Sequence, residues 1–397
     1  MKYGIFLPNG SNGYILSKAT SLYQPTFEHN KQITVEAEDL GFNMVLSMMK
    51  YRGFGGETGY WDSCLESFTL MAGLAAETKK IDLFPSVTLL AHHPAIVARM
   101  VATIDDISDG RCGLNVVTGW NKPEYTQMGM WKSDDYYDQR YQLARDYVSV
   151  LKELWTEGYC TYKNDSFDLE DCACFPLPKH QPMIVAAGQS PAGMRFVAEV
   201  GDRNFVMASG ANLPSKVREL KATASEFGRE VGTFACIQIV SADTDQEAEA
   251  ITSRIIEEAD KGAIAKVIAS ATLDTNPAGS SEQMKTGLTR PPADGNIAFM
   301  GMPVIYGSHQ RVAEKLDRVA EEADIDGVML CFTDYLKGIR DFGDKVMPHL
   351  SSASLSAGPA AAARVPAEKD SQATFSMQCS KVVGATGFEP ATPTPPV

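Results

Sequence analysis

CGLNVVTGWNKPEYTQMG, residues 112–129, is the stretch on which the reading of this chain turns. It begins as an apolar run, Leu114, Val116 and Val117, with the β-branched bias of a buried strand. A polar amide, Asn115, interrupts the run. Thr118-Gly119-Trp120-Asn121 then breaks it into a loop, and a carboxylate follows at Glu124. A buried strand with Asn near its carboxyl end, opening into Gly, Trp and Glu, reads as one wall of an α/β active site. It reads equally as a core strand with a satisfied Asn and an ordinary turn, so the surrounding chain has to decide.

On both sides of this stretch short apolar strands alternate with helices. Strands are expected over 3–7, 44–49, 81–88, 112–118, 183–187, 204–208, 234–240 and 327–332. Between them, apolar residues recur every three to four positions over 27–40, 65–78, 94–107, 138–156, from Pro191 onward, and over 214–227 and 308–322. In 94–107, for example, Ile96, Met100, Ile104 and Ile107 share one face. A further charged helix is expected over 243–268. Eight apolar strands alternating with helices predict a parallel sheet closed as a TIM (β/α)8 barrel. A doubly wound open sheet is the alternative, weakened because no G-x-G-x-x-G follows the first strand.

Three segments fall outside the alternation. An insertion occupies 158–181. The stretch 270–307, rich in Pro, Gly, Ser and Thr, reads as a long loop, either a lid over the site or a disordered insert. From 351 to 397 the composition shifts to Ala, Ser and Pro, which predicts a disordered tail behind a barrel domain of residues 1–350.

Composition excludes several roles. Lys+Arg 36 against Asp+Glu 50 gives a net charge of −14 with no basic cluster, so nucleic acid would be repelled. No apolar run reaches membrane-spanning length, and no cleavable signal peptide is expected. The cysteines are scattered, with Cys112, Cys236 and Cys331 in apolar segments, as reduced core thiols of a cytoplasmic protein would be. Cys160, Cys172, Cys174 and His180 match no standard ligand frame, and no metal is expected.

In a barrel the working residues lie at the carboxyl ends of the strands. Collected from those ends, the candidates are Pro8-Asn9, Met49-Lys50, Ser86-Val87-Thr88, Asn115, Gly188-Gln189-Ser190 and Ser209. The set is polar but poor in acid–base groups, which suits a cofactor that carries the difficult chemistry itself. His92 and His93 read as loop or core histidines. Ser190 before Pro191 is a helix N-cap signature, and free amides there favour a phosphate, although most such caps bind nothing. Arg140 could clamp a phosphate and Tyr141 cover a ring; the plainer reading is a surface Arg beside a core Tyr.

With these residues collected, the chain over about 1–350 resembles the bacterial-luciferase-like flavin monooxygenases. The resemblance is carried by Leu46-Ser47-Met48-Met49-Lys50, Arg52-Gly53-Phe54-Gly55-Gly56, the helix 65–76, Pro94 to Met100, Asn115-Val116-Val117-Thr118-Gly119-Trp120 with Lys122-Pro123-Glu124-Tyr125, and Ala187-Gly188-Gln189-Ser190. The Arg-Gly-Phe-Gly-Gly loop and Gly-Gln-Ser are more particular to its pyrimidine branch. The resemblance implies non-covalent reduced FMN supplied by a separate NADH-dependent flavin reductase. It also implies O2-dependent opening of uracil or thymine between N3 and C4 to ureidoacrylate by way of its peracid, in a homo-oligomer. Flavin contacts map to Met49, Lys50, Asn115, Glu124, Arg140, Tyr141 and Ser190, and an oxygen pocket to Asn115, Ser86 and Leu46. Asn115 is expected to donate to a reacting oxygen. Two departures weaken the substrate assignment: Ser86 stands where the branch has Thr, and 91–93 reads Ala-His-His. A sulfone or alkanesulfonate monooxygenase, a deazaflavin-dependent oxidoreductase and a flavin-binding protein without turnover are the alternatives.

Overall fold

The structure is a computed structural model that describes residues 1–208, 212–275, 279–287 and 290–351. Ser209 and the tail from 352 onward, both singled out in the sequence, lie outside the described residues.

Twelve strands occur among these residues: β1 (Lys2–Phe6), β2 (Met44–Leu46), β3 (Asp82–Phe84), β4 (Ser86–Thr88), β5 (Leu114–Val117), β6 (Tyr159–Lys163), β7 (Asp168–Ala173), β8 (Ile184–Ala186), β9 (Arg203–Val206), β10 (Gly232–Ala242), β11 (Val304–Ser308) and β12 (Gly327–Phe332). The main sheet runs β3-β2-β1-β12-β10-β9-β8-β5-β4, and its ladders are parallel. β3 and β4 are one segment interrupted at Pro85, which has no N–H to give a ladder. Its first half pairs with β2 and its second half with β5, so the ring closes on that segment as an eight-stave barrel. All eight predicted strands are staves.

The strands read as nearly continuous apolar runs because both of their faces are covered. All six residues of β12 are buried, as are nine in succession in β10. Met44, Leu46, Phe84, Val185, Phe234 and Met329 meet inside the barrel, with Phe6, Met183 and Phe205 against them. Burying a side chain of this size contributes about 1.5–3 kcal/mol. Outside, the helices turn their apolar stripes onto the staves; in His309–Ala323 the buried residues are Val312, Ala313, Leu316 and Ala323.

Two expectations need correction. The charged helix over 243–268 is two helices, Asp245–Glu257 and Lys261–Thr272. Asp260 makes the break, capping the second helix by accepting from Ala263 N at 3.0 Å. The stretch 270–307 is no structureless loop: it holds the helix Ser280–Thr286 and β11, which extends the sheet beside the far half of β10. Its Pro and Gly residues masked that short strand. Within the insertion 158–181, β6 and β7 form an antiparallel hairpin on which Cys160 and Cys172 are register partners.

Candidate active site

Asn115 lies on β5 with its backbone in register with Ser86 and Val185, and its side chain is 5% exposed. Asn115 Nδ2 donates to Ser86 Oγ at 2.8 Å. The Ser86 hydroxyl in turn donates to the carbonyl of Ser47. Its single proton is thereby committed, so Ser86 Oγ can only accept from Asn115, which fixes which end of the amide faces it. Ser67 Oγ accepts from Ser86 N at 2.7 Å and lies 2.6 Å from Ser47 Oγ. Asn115 Oδ1 has no partner among the described residues. The amide therefore presents a free acceptor and one remaining N–H, where only a donor had been expected. Leu46, 1% exposed, belongs to the barrel interior. Ser47 and Ser67 lie in stretches that carry the family resemblance but had been given no role; the signal was a hydroxyl within an apolar strand and an apolar helix.

Lys50 follows β2, and its ammonium lies 2.8 Å from Glu124 Oε2, with both side chains 5% exposed. Glu124 also accepts from the backbone of Tyr51 and from Asn121 Nδ2. Around the ammonium stand Phe54, Trp61 and Trp120, with ring centroids at 4.8, 5.6 and 5.4 Å. Cation–π attraction of this kind replaces part of the hydration that burial removes. Two of the rings come from the glycine-rich loop after β2. Gly56 in that loop takes φ +76°, and a side chain there would run into the Asp260 carboxylate. Asp260 holds the loop by accepting from Thr58 N and Thr58 Oγ1, both at 2.8 Å. Met49 is half-buried against the core.

Arg140 sits in the second turn of the helix Tyr136–Glu157, which begins earlier than expected. It is buried, not a surface residue, and its guanidinium meets Asp274 through Nη1–Oδ2 at 3.1 Å and Nη2–Oδ1 at 3.2 Å. The ring centroids of Tyr137 and Tyr141 lie 5.6 and 5.3 Å from it. Asp274, which the sequence reading missed, also accepts from Ser281 Oγ at 2.9 Å. Ser190 is the N-cap of Pro191–Val200, accepting from Gly193 N at 3.2 Å, and lies 3.4 Å from the Tyr141 hydroxyl. His93 caps Pro94–Ser108, and His92 packs beside Phe68, its pKa lowered by burial. The structure thus brings together three groups around the carboxyl end of the barrel: Asn115 with Ser86, Lys50 with Glu124, and Arg140 with Tyr141 and Ser190.

Known proteins are similar to this chain. A family model described as luciferase-like monooxygenase matches residues 1–326. A protein named pyrimidine monooxygenase RutA from Bradyrhizobium is 44% identical over 365 residues, covering 91% of this chain and 100% of its own. Its namesake from Acinetobacter baylyi is 42% identical, covering 89% and 95%. Among solved structures, EDTA monooxygenase from Chelativorans superposes with a TM-score of 0.75 at 16% identity, over 88% of this chain and 92% of that one. Long-chain alkane monooxygenase does so with a TM-score of 0.72 at 19% identity, over 88% and 90%; at such identity the likeness speaks for the barrel alone. With the family model covering most of the barrel and relatives above 40% identity running nearly end to end, the chain belongs to the luciferase-like monooxygenase family.

Proposed function

We propose that this monooxygenase uses reduced FMN, supplied by a separate NADH-dependent reductase, to open uracil or thymine between N3 and C4 with O2. The N3–C4 bond breaks, N3 takes up a proton, and both oxygen atoms stay at C4 as the peracid that leads to ureidoacrylate. The observation that carries the reading is the buried Asn115 amide. It is oriented by Ser86 and left with a free acceptor, on a chain 42–44% identical to named pyrimidine monooxygenases.

The residues present fit a flavin: aromatic walls, a buried amide with free capacity, and a helix N-terminus capped by Ser190. Reduced FMN, when bound, supplies the electrons that activate O2. Ser190, Tyr141 and Arg140 would hold its polar tail, and Met49, Lys50 and Glu124 the ring side. Asn115 orients the reacting atoms through its free Oδ1 and remaining N–H, Ser86 holds that amide still, and Leu46 keeps water from the pocket wall.

The test is uracil absorbance under air with protein, FMN, NADH and a generic flavin reductase. Loss of the band that needs every component supports the proposal. Its persistence, in protein that binds FMN, refutes the pyrimidine substrate and turns the search to sulfones and sulfonates.

A further inference from the structure

β10 runs in unbroken register with β12 from Phe234 to Ile239, so Phe234, Cys236 and Gln238 share one face. That face is the interior one, because Phe234 packs with Leu46, Val185 and Met329 inside the barrel. Gln238 therefore projects into the lumen, nearer than Phe234 to the carboxyl end where the site lies. It is 0% exposed, and neither Oε1 nor Nε2 has a partner among the described residues. Among the described residues it is the one buried side-chain amide with both atoms unbonded; Asn30, Asn115 and Asn121 each lack a partner only at oxygen. A folded chain rarely leaves a buried carboxamide wholly unsatisfied, and where it does a ligand is a physical reason.

A carboxamide offers a donor and an acceptor side by side, the complement of the N–H and C=O on the edge of a cyclic imide. Asn115 stands three staves away in the ring, through β9 and β8, with its own free acceptor on the same interior. We propose that Gln238 is the residue that reads a cyclic imide in this site by pairing with its N–H and an adjacent carbonyl. This rests on the flavin and pyrimidine reading above, and two molecules of that reading carry such an edge: uracil and the pyrimidine ring of the flavin.

The test compares wild type with Gln238→Met, which keeps the length and removes both polar atoms. Three quantities are read: the Kd of oxidised FMN by fluorescence quenching, the KM of uracil by absorbance, and the melting temperature without ligand. The variant is expected to melt no lower than wild type and to raise one constant by about 10- to 100-fold. A raised Kd assigns the pairing to the flavin. A raised KM at unchanged Kd and kcat, with lost discrimination against 3-methyluracil, assigns it to the substrate. If the Met variant does not fold, Gln238→Asn, which withdraws the amide by one methylene, is held to the same constants. Both constants within twofold of wild type overturn the proposal, as does a lower melting temperature with both unchanged. Should wild type bind FMN without consuming uracil, the substrate reading fails by itself, and an unchanged Kd then overturns the role of Gln238.

Discussion

Glu124→Gln removes one charge from a buried pair and changes almost nothing else in shape. At the 2.8 Å separation of Lys50 and Glu124, Coulomb attraction is about 6 kcal/mol at an effective dielectric of about 20. Desolvating two groups that are each only 5% exposed takes much of that back, so the pair adds little net stability. Removing one partner is different, because the other charge then stays buried and unpaired, at a cost of about 3–5 kcal/mol. The three rings around Lys50 soften this toward the lower figure. Lys50→Met is expected to cost a similar amount by stranding the carboxylate. Because each single change strands the opposite member of the pair and the double variant strands neither, the double variant should lose less than the two singles together, with a coupling energy of about 2–3 kcal/mol. Equilibrium urea unfolding, followed by tryptophan fluorescence, measures all four corners of the cycle. Single costs below about 1 kcal/mol that simply add would mean the pair behaves like an exposed one, and the reasoning would be wrong.

Other outcomes follow from the same geometry. Asn115→Ala should abolish product while sparing FMN binding, and Ser86→Ala, which frees the Asn115 amide to rotate, should lower kcat by about tenfold or more at unchanged FMN Kd; steady-state turnover beside flavin titration checks both. Arg140→Ala should weaken FMN by about 10- to 100-fold, seen in the same titration, and an unchanged Kd would remove Arg140 from the binding set. Asp260→Ala should cost about 3 kcal/mol by releasing the Thr58 loop and the cap at Ala263. Burial alone would raise the Asp260 carboxyl, but the donors of Ala263 and Thr58 hold it below its ordinary 3.8. Its contribution is therefore complete above that value and is lost as pH falls through the lower folded one. The wild-type advantage in urea midpoint over Asp260→Asn should accordingly shrink below about pH 4, and an advantage that grows there would contradict the assignment.

The glycine-rich loop after β2 was legible only in part. Its glycines signalled a turn, but the carboxylate that holds it, Asp260, lies 202 residues away from Thr58 and had been read as the middle of one helix. The stretch 270–307 failed for a related reason. β11 is five residues beside Pro303 and Gly301, too short for periodicity to register, and it is a strand because β10 offers it an edge. Ser190 was legible because an N-cap is a contact over three residues.

What the amino-acid sequence determined by itself was the barrel. Eight buried strands and the helices between them are set by side-chain period and by the need to cover both faces of each strand, and both are local properties. It also located Lys50, Asn115 and Ser190 just where strands end, since strand ends fall where apolar runs stop, whereas Glu124 and Arg140, which lie on helices, were singled out for the flavin only through the family resemblance. The tertiary structure alone decided how those groups are paired. Arg140 meets Asp274 across 134 residues, Lys50 meets Glu124 across 74, and Asn115 is held by Ser86 across 29. Each pairing exists because the closed barrel brings segments distant in the chain, strand ends and the helices and loops that follow them, close together, and no local pattern carries that information.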